Sequence, residues 1–457
     1  MSNALSDVSF WFDALDALPP AATPPLPVQV DVAIVGAGFT GLWTAYYLKQ
    51  RSPELRIAIF EAERVGFGAS GRNGGWCMGA AFGVHGLLRN PQTRSRGVAL
   101  ARALFDTVDE VGRVCQAENI DAHYAKGGSL SVATIPFQVA RQQRQLERLQ
   151  RAGFGDADYR WLTADESRAR IGVTPNHGAL YLRHCAAVQP ARLVLGLADA
   201  VRRQGTVIHE ATAVLTMAPG RIVTQRGTVR AGATVRATEG YTDSIAGHRR
   251  QLLPLYSMVT ATEPLPAEIW RQIGLAERET FGDGRRVVIY GRRTLDDRLV
   301  LGGRAGYYYG SRRRRLISPN DPAVVRVKHL VTSLFPVLKD FRITHGWGGL
   351  MGVPRHWRPC VQWDAAARTG WAGGYVGEGV AASNLAARVL ADLVTGRVSA
   401  LTELPWVNDL ARRWEPEPLR WLGARAIEAF GDRADRSEFA SGAPSKFWGG
   451  LFDRFAG

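Results

Sequence analysis

The sequence predicts a two-domain α/β (α+β) fold, and three observations carry that prediction. Val28 to Val35 is a β-branched run suited to a buried strand. Gly36 to Gly41 is a glycine turn, and Leu42 to Gln50 repeats apolar residues at helical spacing. From about residue 250 to 345 the signal changes to strands, with Tyr256–Thr262, Val287–Tyr290 and Leu299–Leu301 as candidates, so a second, strand-rich domain follows the first.

The first unit continues past its helix. Pro53 stops the helix, and Ile57 to Phe60 reads as a second buried strand ending at Glu61. Residues 64–86 are rich in glycine. Further strands are expected at Gly128–Ala133, Val207–Val214, Ala233–Ala237 and Trp371–Val376, with helices at Leu193–Arg203 and Ala381–Leu393. The prolines at 19, 20, 24, 25 and 27 make residues 1–27 an arm and linker, although Trp11 and Phe12 could pack on the body.

With 457 residues, two or three domains are expected at roughly 100–200 residues each. Apolar residues at 46% and charged residues at 22% fit a globular chain and argue against a disordered or fibrous one. The formal charge of +15 comes mainly from scattered arginines. The densest run, Arg312 to Arg315, sits among Gly, Ser and Pro and reads as a solvated loop. No zinc-finger or RNA-binding signature accompanies it, so a nucleic-acid partner is not expected. Cys77, Cys115, Cys185 and Cys360 form no C-x-x-C pair, which argues against a metal site or a disulfide framework. Met1 to Pro20 lacks a basic segment followed by an apolar core, and no run of about 18 apolar residues occurs. A cytoplasmic chain without an integral membrane span is therefore the expectation.

Gly36-Ala37-Gly38-Phe39-Thr40-Gly41 fits G-x-G-x-x-G between a strand and a helix. The first glycine allows the tight turn, the second lets backbone approach a pyrophosphate, and the third packs helix on strand. The helix start then offers free N–H groups to phosphate. Glu61 follows Gly41 by 20 positions, the spacing of a ribose-binding carboxylate, and its charge would repel a 2′-phosphate. A dinucleotide other than NADP is implied, while the turn alone leaves FAD and NAD open.

Other residues bear on that choice. Glu61, then Gly68-Ala69-Ser70-Gly71-Arg72-Asn73-Gly74-Gly75, resembles the D-amino-acid-oxidase (DAO) superfamily of FAD-dependent oxidoreductases, and is most similar to its gamma-glutamylputrescine oxidoreductase and aminophosphonate oxidoreductase-like branch. Gly128-Ser129-Leu130, Thr238-Glu239-Gly240-Tyr241, Trp347-Gly348-Gly349 and Gly374-Tyr375-Val376-Gly377-Glu378-Gly379-Val380 extend the resemblance over most of residues 28–400. It implies a Rossmann-type, glutathione-reductase-like FAD domain at 28–90, 186–248 and 341–400, a substrate-binding cap at 91–185 and 249–340, and a helical tail at 401–457. Relatives can carry covalent flavin, and Cys77 and His85 lie close to the glycine segment, but free cysteine is commonly buried, so a structural Cys77 and non-covalent FAD are the expectation. The cofactor residues implied are Gly36, Gly38, Phe39, Thr40, Gly41, Glu61, Ala62, Ser70, Gly71, Arg72, Asn73, Gly74, Gly75, Val214, Thr238, Gly240, Gly349, Gly377, Gly379 and Val380. Glycines against a flat ring leave room that bulky side chains would fill.

The resemblance implies oxidation of a C–N bond in a primary or secondary amine, amino acid or aminophosphonate, with O2 or another acceptor reoxidising the flavin. Where amino-acid oxidases of the superfamily carry a carboxylate-binding arginine, this chain has Met351, which argues against simple α-amino acids. Arg355, His356, Arg304, Tyr256 and Tyr308 are the other pocket candidates, set against readings as a basic surface loop or core tyrosines. Two alternatives stand beside an oxidase. One is a dehydrogenase feeding a quinone or carrier, with the basic charge and Trp414, Trp421, Phe447, Trp448 and Phe452 suited to peripheral membrane contact. The other is a non-enzymatic FAD-binding module. No residue pattern specifies the oligomer.

Overall fold

The computed structural model describes residues 5–18, 20–304 and 306–456. Two eight-stranded sheets organise them. In the first, Gln29–Val35 lies between Gly227–Arg236 and Ile57–Phe60, parallel to both. Val207–His209 extends one side in parallel, and Thr369–Gly373 and then Cys360–Asp364 extend the other. The central strand is apolar throughout its second half because helices cover one face of it, as a parallel sheet requires. The helices Phe39–Arg51 and Gly379–Thr395 pack on each other there and share a core with Leu193, Leu197 and Val201.

The second sheet runs Ile343–Val353, Leu253–Thr262, Leu299–Arg304, Ile289–Arg293, Thr280–Asp283, Ser129–Val132, Ala179–Leu182 and Tyr159–Leu162. Its pairs are antiparallel except Thr280–Asp283 with Ser129–Val132. A separate core fills one side of it, built on Phe281, Leu301, Val331 and Phe335.

Several expected boundaries move. The strand expected at 207–214 breaks into Val207–His209 and Val214–Ala218. The cause is Glu210, whose buried carboxylate accepts the Ala22 and Val65 N–H groups and the Arg64 guanidinium, followed by Ala211 in left-handed backbone at φ 47°. Ile343–Val353, expected with the dinucleotide domain, pairs along its length with Leu253–Thr262 and so belongs to the second sheet. The helix Arg94–Ala117, expected in the cap, buries Leu104, Val108 and Val111 in the core of the first sheet.

The N-terminal segment is not a free arm. Phe10, Trp11 and Phe12 are buried. Trp11 stands edge-on to Trp347 at 5.9 Å, and its indole N–H donates to the Asn73 carbonyl at 2.7 Å. Trp11→Ala is therefore expected to cost about 3–5 kcal/mol of stability, the range for truncating a buried large aromatic. Urea unfolding measures this, and a loss under about 1 kcal/mol would contradict the packing.

Candidate active site

An elongated cavity of about 690 Å³ lies between the two sheets. At one end is the glycine turn. Gly36 holds φ 106°, and a Cβ there would stand 2.5 Å from the Ala237 carbonyl oxygen. A Cβ on Gly41 would meet the Gly36 carbonyl oxygen at 2.0 Å, so any side chain pushes the helix off the strand. The Phe39 N–H at the helix start donates to Ser70 Oγ at 2.8 Å, which ties the turn to the glycine-rich loop. Glu61 closes this end. Its carboxylate accepts the Ala37 and Glu63 N–H groups at 2.8 and 2.9 Å, and burial pushes its pKa up to about 7.

The far end is framed by the start of the helix Gly379–Thr395, with Val376, Gly377 and Glu378, and by Trp76, Met78, Phe82, Tyr290, Arg304 and Met351. Arg304 is stacked 4.8 Å over Phe82 and 5.8 Å over Trp357, and it donates to the Val376 carbonyl at 3.3 Å. Burial lowers its pKa. Glu378 Oε2 is buried and has no partner among the described residues. Burial pushes this carboxyl up to about 7, against the pull of the Arg304 charge. Tyr290 OH is bonded to Ser257 Oγ at 2.7 Å and packs edge-on to Trp76.

Of the residues expected at the cofactor, Gly36, Gly38, Phe39, Thr40, Glu61, Ala62, Ser70, Arg72, Asn73, Gly74, Val214, Thr238, Gly349, Gly377, Gly379 and Val380 line the cavity. Gly41, Gly71, Gly75 and Gly240 stand behind its wall, against the Gly36 carbonyl, Phe12, the Val188 carbonyl and Leu350 respectively. Two of the lining side chains are spent on the protein. Arg72 donates to the carbonyls of Phe67, Arg315 and Gly348, and Asn73 bonds the backbone of Ala69, Ser70 and Gly75.

Among the substrate candidates, Met351 and Arg304 line the cavity, and the other four do not. Arg355 is paired with Glu415 and stacked on Trp414, and His356 contacts Asp409. Tyr256 is buried beside Tyr308, its hydroxyl accepting the Arg314 N–H at 2.7 Å. These side chains are held by the tail and by the second core.

Sequence reasoning passed over three features. Arg313, Arg314 and Arg315, read as solvated, line the cavity and pair with Asp243, Asp321 and Glu63. Glu239 accepts the Gly352, Gly374 and Tyr375 N–H groups, so one buried carboxylate joins Ile343–Val353 to the second glycine segment. Glu378 is signalled in the sequence only by its Gly-Glu-Gly setting.

The site fits a flavin dinucleotide on its own terms. The turn admits backbone but no Cβ, a carboxylate stands one strand away, and Glu378 and Trp76, which line the cavity, each keep a buried polar atom without a partner among the described residues. Such a cavity, between a largely parallel sheet carrying the glycine turn and a largely antiparallel one, is the arrangement a flavin-dependent oxidoreductase requires. Residues 31–393 match the family model DAO, FAD dependent oxidoreductase, and the chain belongs to that family, an enzyme with FAD as its cofactor. It is 30% identical to gamma-glutamylputrescine oxidoreductase of Escherichia coli (strain K12), across 83% of this chain and 87% of that one. It is 29% identical to "Probable oxidoreductase OrdL" of Rhizobium meliloti (strain 1021), across 94% and 97%. The fold is similar to glycine oxidase from Geobacillus kaustophilus, with a TM-score of 0.71 over 85% of this chain and 100% of that one at 20% identity.

All four cysteines are free and buried, and burial raises the Cys77 thiol well above its usual value. Among the described residues no group of His, Cys, Asp and Glu could hold a metal ion, and no helix is long and apolar enough to cross a membrane.

Proposed function

We propose that the protein oxidises the C–N bond of an amine that also carries an anionic group, with O2 reoxidising the flavin to give hydrogen peroxide. The observation that carries this reading is that Arg304 and Glu378 line the same cavity, with the Arg304 charge acting on the Glu378 carboxyl. Bound FAD would accept a hydride from the carbon bearing the amine, leaving an imine that water hydrolyses. The chain's part is to hold and prepare the substrate. Arg304 binds the anionic group, carboxylate or phosphonate. Trp76, Phe82, Tyr290 and Met351 enclose the apolar stem. The Glu378 carboxylate takes a proton from the substrate ammonium, because only the neutral amine has the lone pair that drives hydride loss. Relatives whose names include a glutamylputrescine oxidoreductase and a sarcosine oxidase subunit support an amine substrate. FAD is held without a covalent bond, which agrees with Cys77 lying outside the cavity lining.

At the other end Glu61 holds the ribose hydroxyls. Glu61→Ala is expected to weaken FAD binding roughly 10- to 100-fold, the worth of a hydrogen bond to a charged group. FAD titration of the apoprotein measures this, and an unchanged affinity would remove Glu61 from the reading.

The whole reading is tested by anaerobic mixing of the holoenzyme with amines, amino acids and aminophosphonates. Bleaching by amines with an anionic group, then peroxide formed at the rate of substrate loss in air, is the expected result. Substrate loss without peroxide would favour a carrier as acceptor. The exposed Phe447 and Phe455 of the terminal helix would suit that role.

A further inference from the structure

A second cavity, of about 220 Å³, lies apart from the large one. Arg192, Arg278, Arg292 and His123 line it with Phe10 and Trp11. Three guanidiniums on one small cavity repel each other, so each needs an anion or a reason to be there. Arg292 is 1% exposed. Its Nε donates to the Gly74 carbonyl at 3.0 Å and its guanidinium lies 4.6 Å over the Trp11 ring. No carboxylate forms an ion pair with it among the described residues, and its Nη1 is buried without a hydrogen-bond partner. Arg278 repeats the pattern. One of its nitrogens donates to the His123 carbonyl at 3.0 Å, while Nε is buried and unpartnered.

The acidic groups nearby are already engaged. Asp296 lines the cavity but is bonded to Arg298 at 2.8 Å. Asp121 pairs with Arg192 at 3.2 Å and faces His123 at 3.6 Å. Burial first, and the three guanidiniums with it, hold the His123 ring below its usual pKa. Buried N–H groups without partners are rare in folded proteins, and two of them on cationic side chains facing one hollow call for an acceptor with negative charge.

We propose that this cavity is a binding site for a small oxyanion, such as phosphate or a short carboxylate, held by Arg278 and Arg292 and closed at the rim by Arg192. The volume has room for an oxyanion. Arg292 is fixed by Gly74 and Trp11, so its free N–H is preset and the ligand has no side chain to reorganise there. The cavity is separate from the Arg304–Glu378 end and does not rest on the redox reading.

Isothermal titration of the FAD-loaded protein with inorganic phosphate and, separately, with malonate tests it, against sodium chloride at matched ionic strength. Saturable binding of one or both at a single site, with millimolar or tighter affinity and absent with chloride, is expected. The two arms distinguish a phosphate site from a carboxylate site. Arg278→Gln and Arg192→Gln, both more exposed than Arg292, are each expected to weaken that binding at least tenfold while FAD content is unchanged. Neither anion binding better than chloride, or both variants binding as tightly as the parent, would overturn the assignment. Turnover is not needed for this readout, so an error in the substrate assignment leaves it interpretable.

Discussion

Glu378→Gln is expected to slow reduction of the flavin by amine about 10²–10³-fold, within the range that a positioned general base contributes. The substitution is nearly isosteric, so the side chain keeps its place in the cavity lining. What it removes is the basic carboxylate in the cavity lining. The pH profile separates proton transfer from mere shape. Glu378 must be ionised to act, and burial holds its pKa near 7. The rate of anaerobic flavin reduction in the parent protein should therefore rise as pH increases through about 7. In the glutamine variant that limb should vanish, leaving the ionisation of the substrate ammonium. FAD affinity should be the same in both. A variant that keeps both the rate and the limb near pH 7 would remove Glu378 from proton transfer.

Gly41→Ala should abolish retention of FAD during purification. The new Cβ would stand 2.0 Å from the Gly36 carbonyl oxygen and 3.2 Å from Ile34 Cγ2. Neither neighbour can yield, since the Gly36 N–H is bonded to the Phe60 carbonyl and Ile34 is fully buried in the central strand. The helix Phe39–Arg51 must move instead, and its first N–H groups move with it. Overpacking of this kind costs about 1–3 kcal/mol in stability. The larger effect is on the phosphate cradle, where we expect FAD affinity to fall at least 100-fold. Gly423→Ala is the control. Gly423 lies in the helix Leu419–Ser441 with nothing within 4 Å of its Cβ position, and alanine there should be neutral or slightly stabilising. Flavin content and urea midpoints of the two variants check both statements.

These two residues differ in how far the sequence revealed them. Gly41 was legible because its role is local, with strand, turn and helix contiguous and each glycine at a fixed offset. The second glycine segment, Gly374–Val380, was legible for the same reason, and so were the helices Phe39–Arg51 and Gly379–Thr395. Roles set by distant partners were not. Arg355 and His356 follow the Trp-Gly-Gly strand as pocket residues would, but Glu415 and Asp409 hold them. Nothing near residue 355 announces a carboxylate sixty positions later. Arg313 to Arg315 look like a solvated loop in sequence, yet the second sheet carries them back to the cavity, where Glu63 and Asp243 await them. Trp76 and Tyr290 form one wall from residues more than two hundred positions apart. Arg292 shows no motif. Its burial against Trp11 needs the N-terminal segment folded onto the body, and prolines at 19–27 suggested a linker there.

The most direct measurement is the anaerobic absorbance of the FAD-loaded protein as single substrates are added. Amines bearing a carboxylate or phosphonate should bleach the long-wavelength flavin band at a rate that saturates with concentration, and Arg304→Met should raise the concentration for half-saturation far more than it lowers the limiting rate. Bleaching by 2-hydroxy acids of similar size with none by any amine would contradict the account, because it would place C–O rather than C–N oxidation between Arg304 and Glu378.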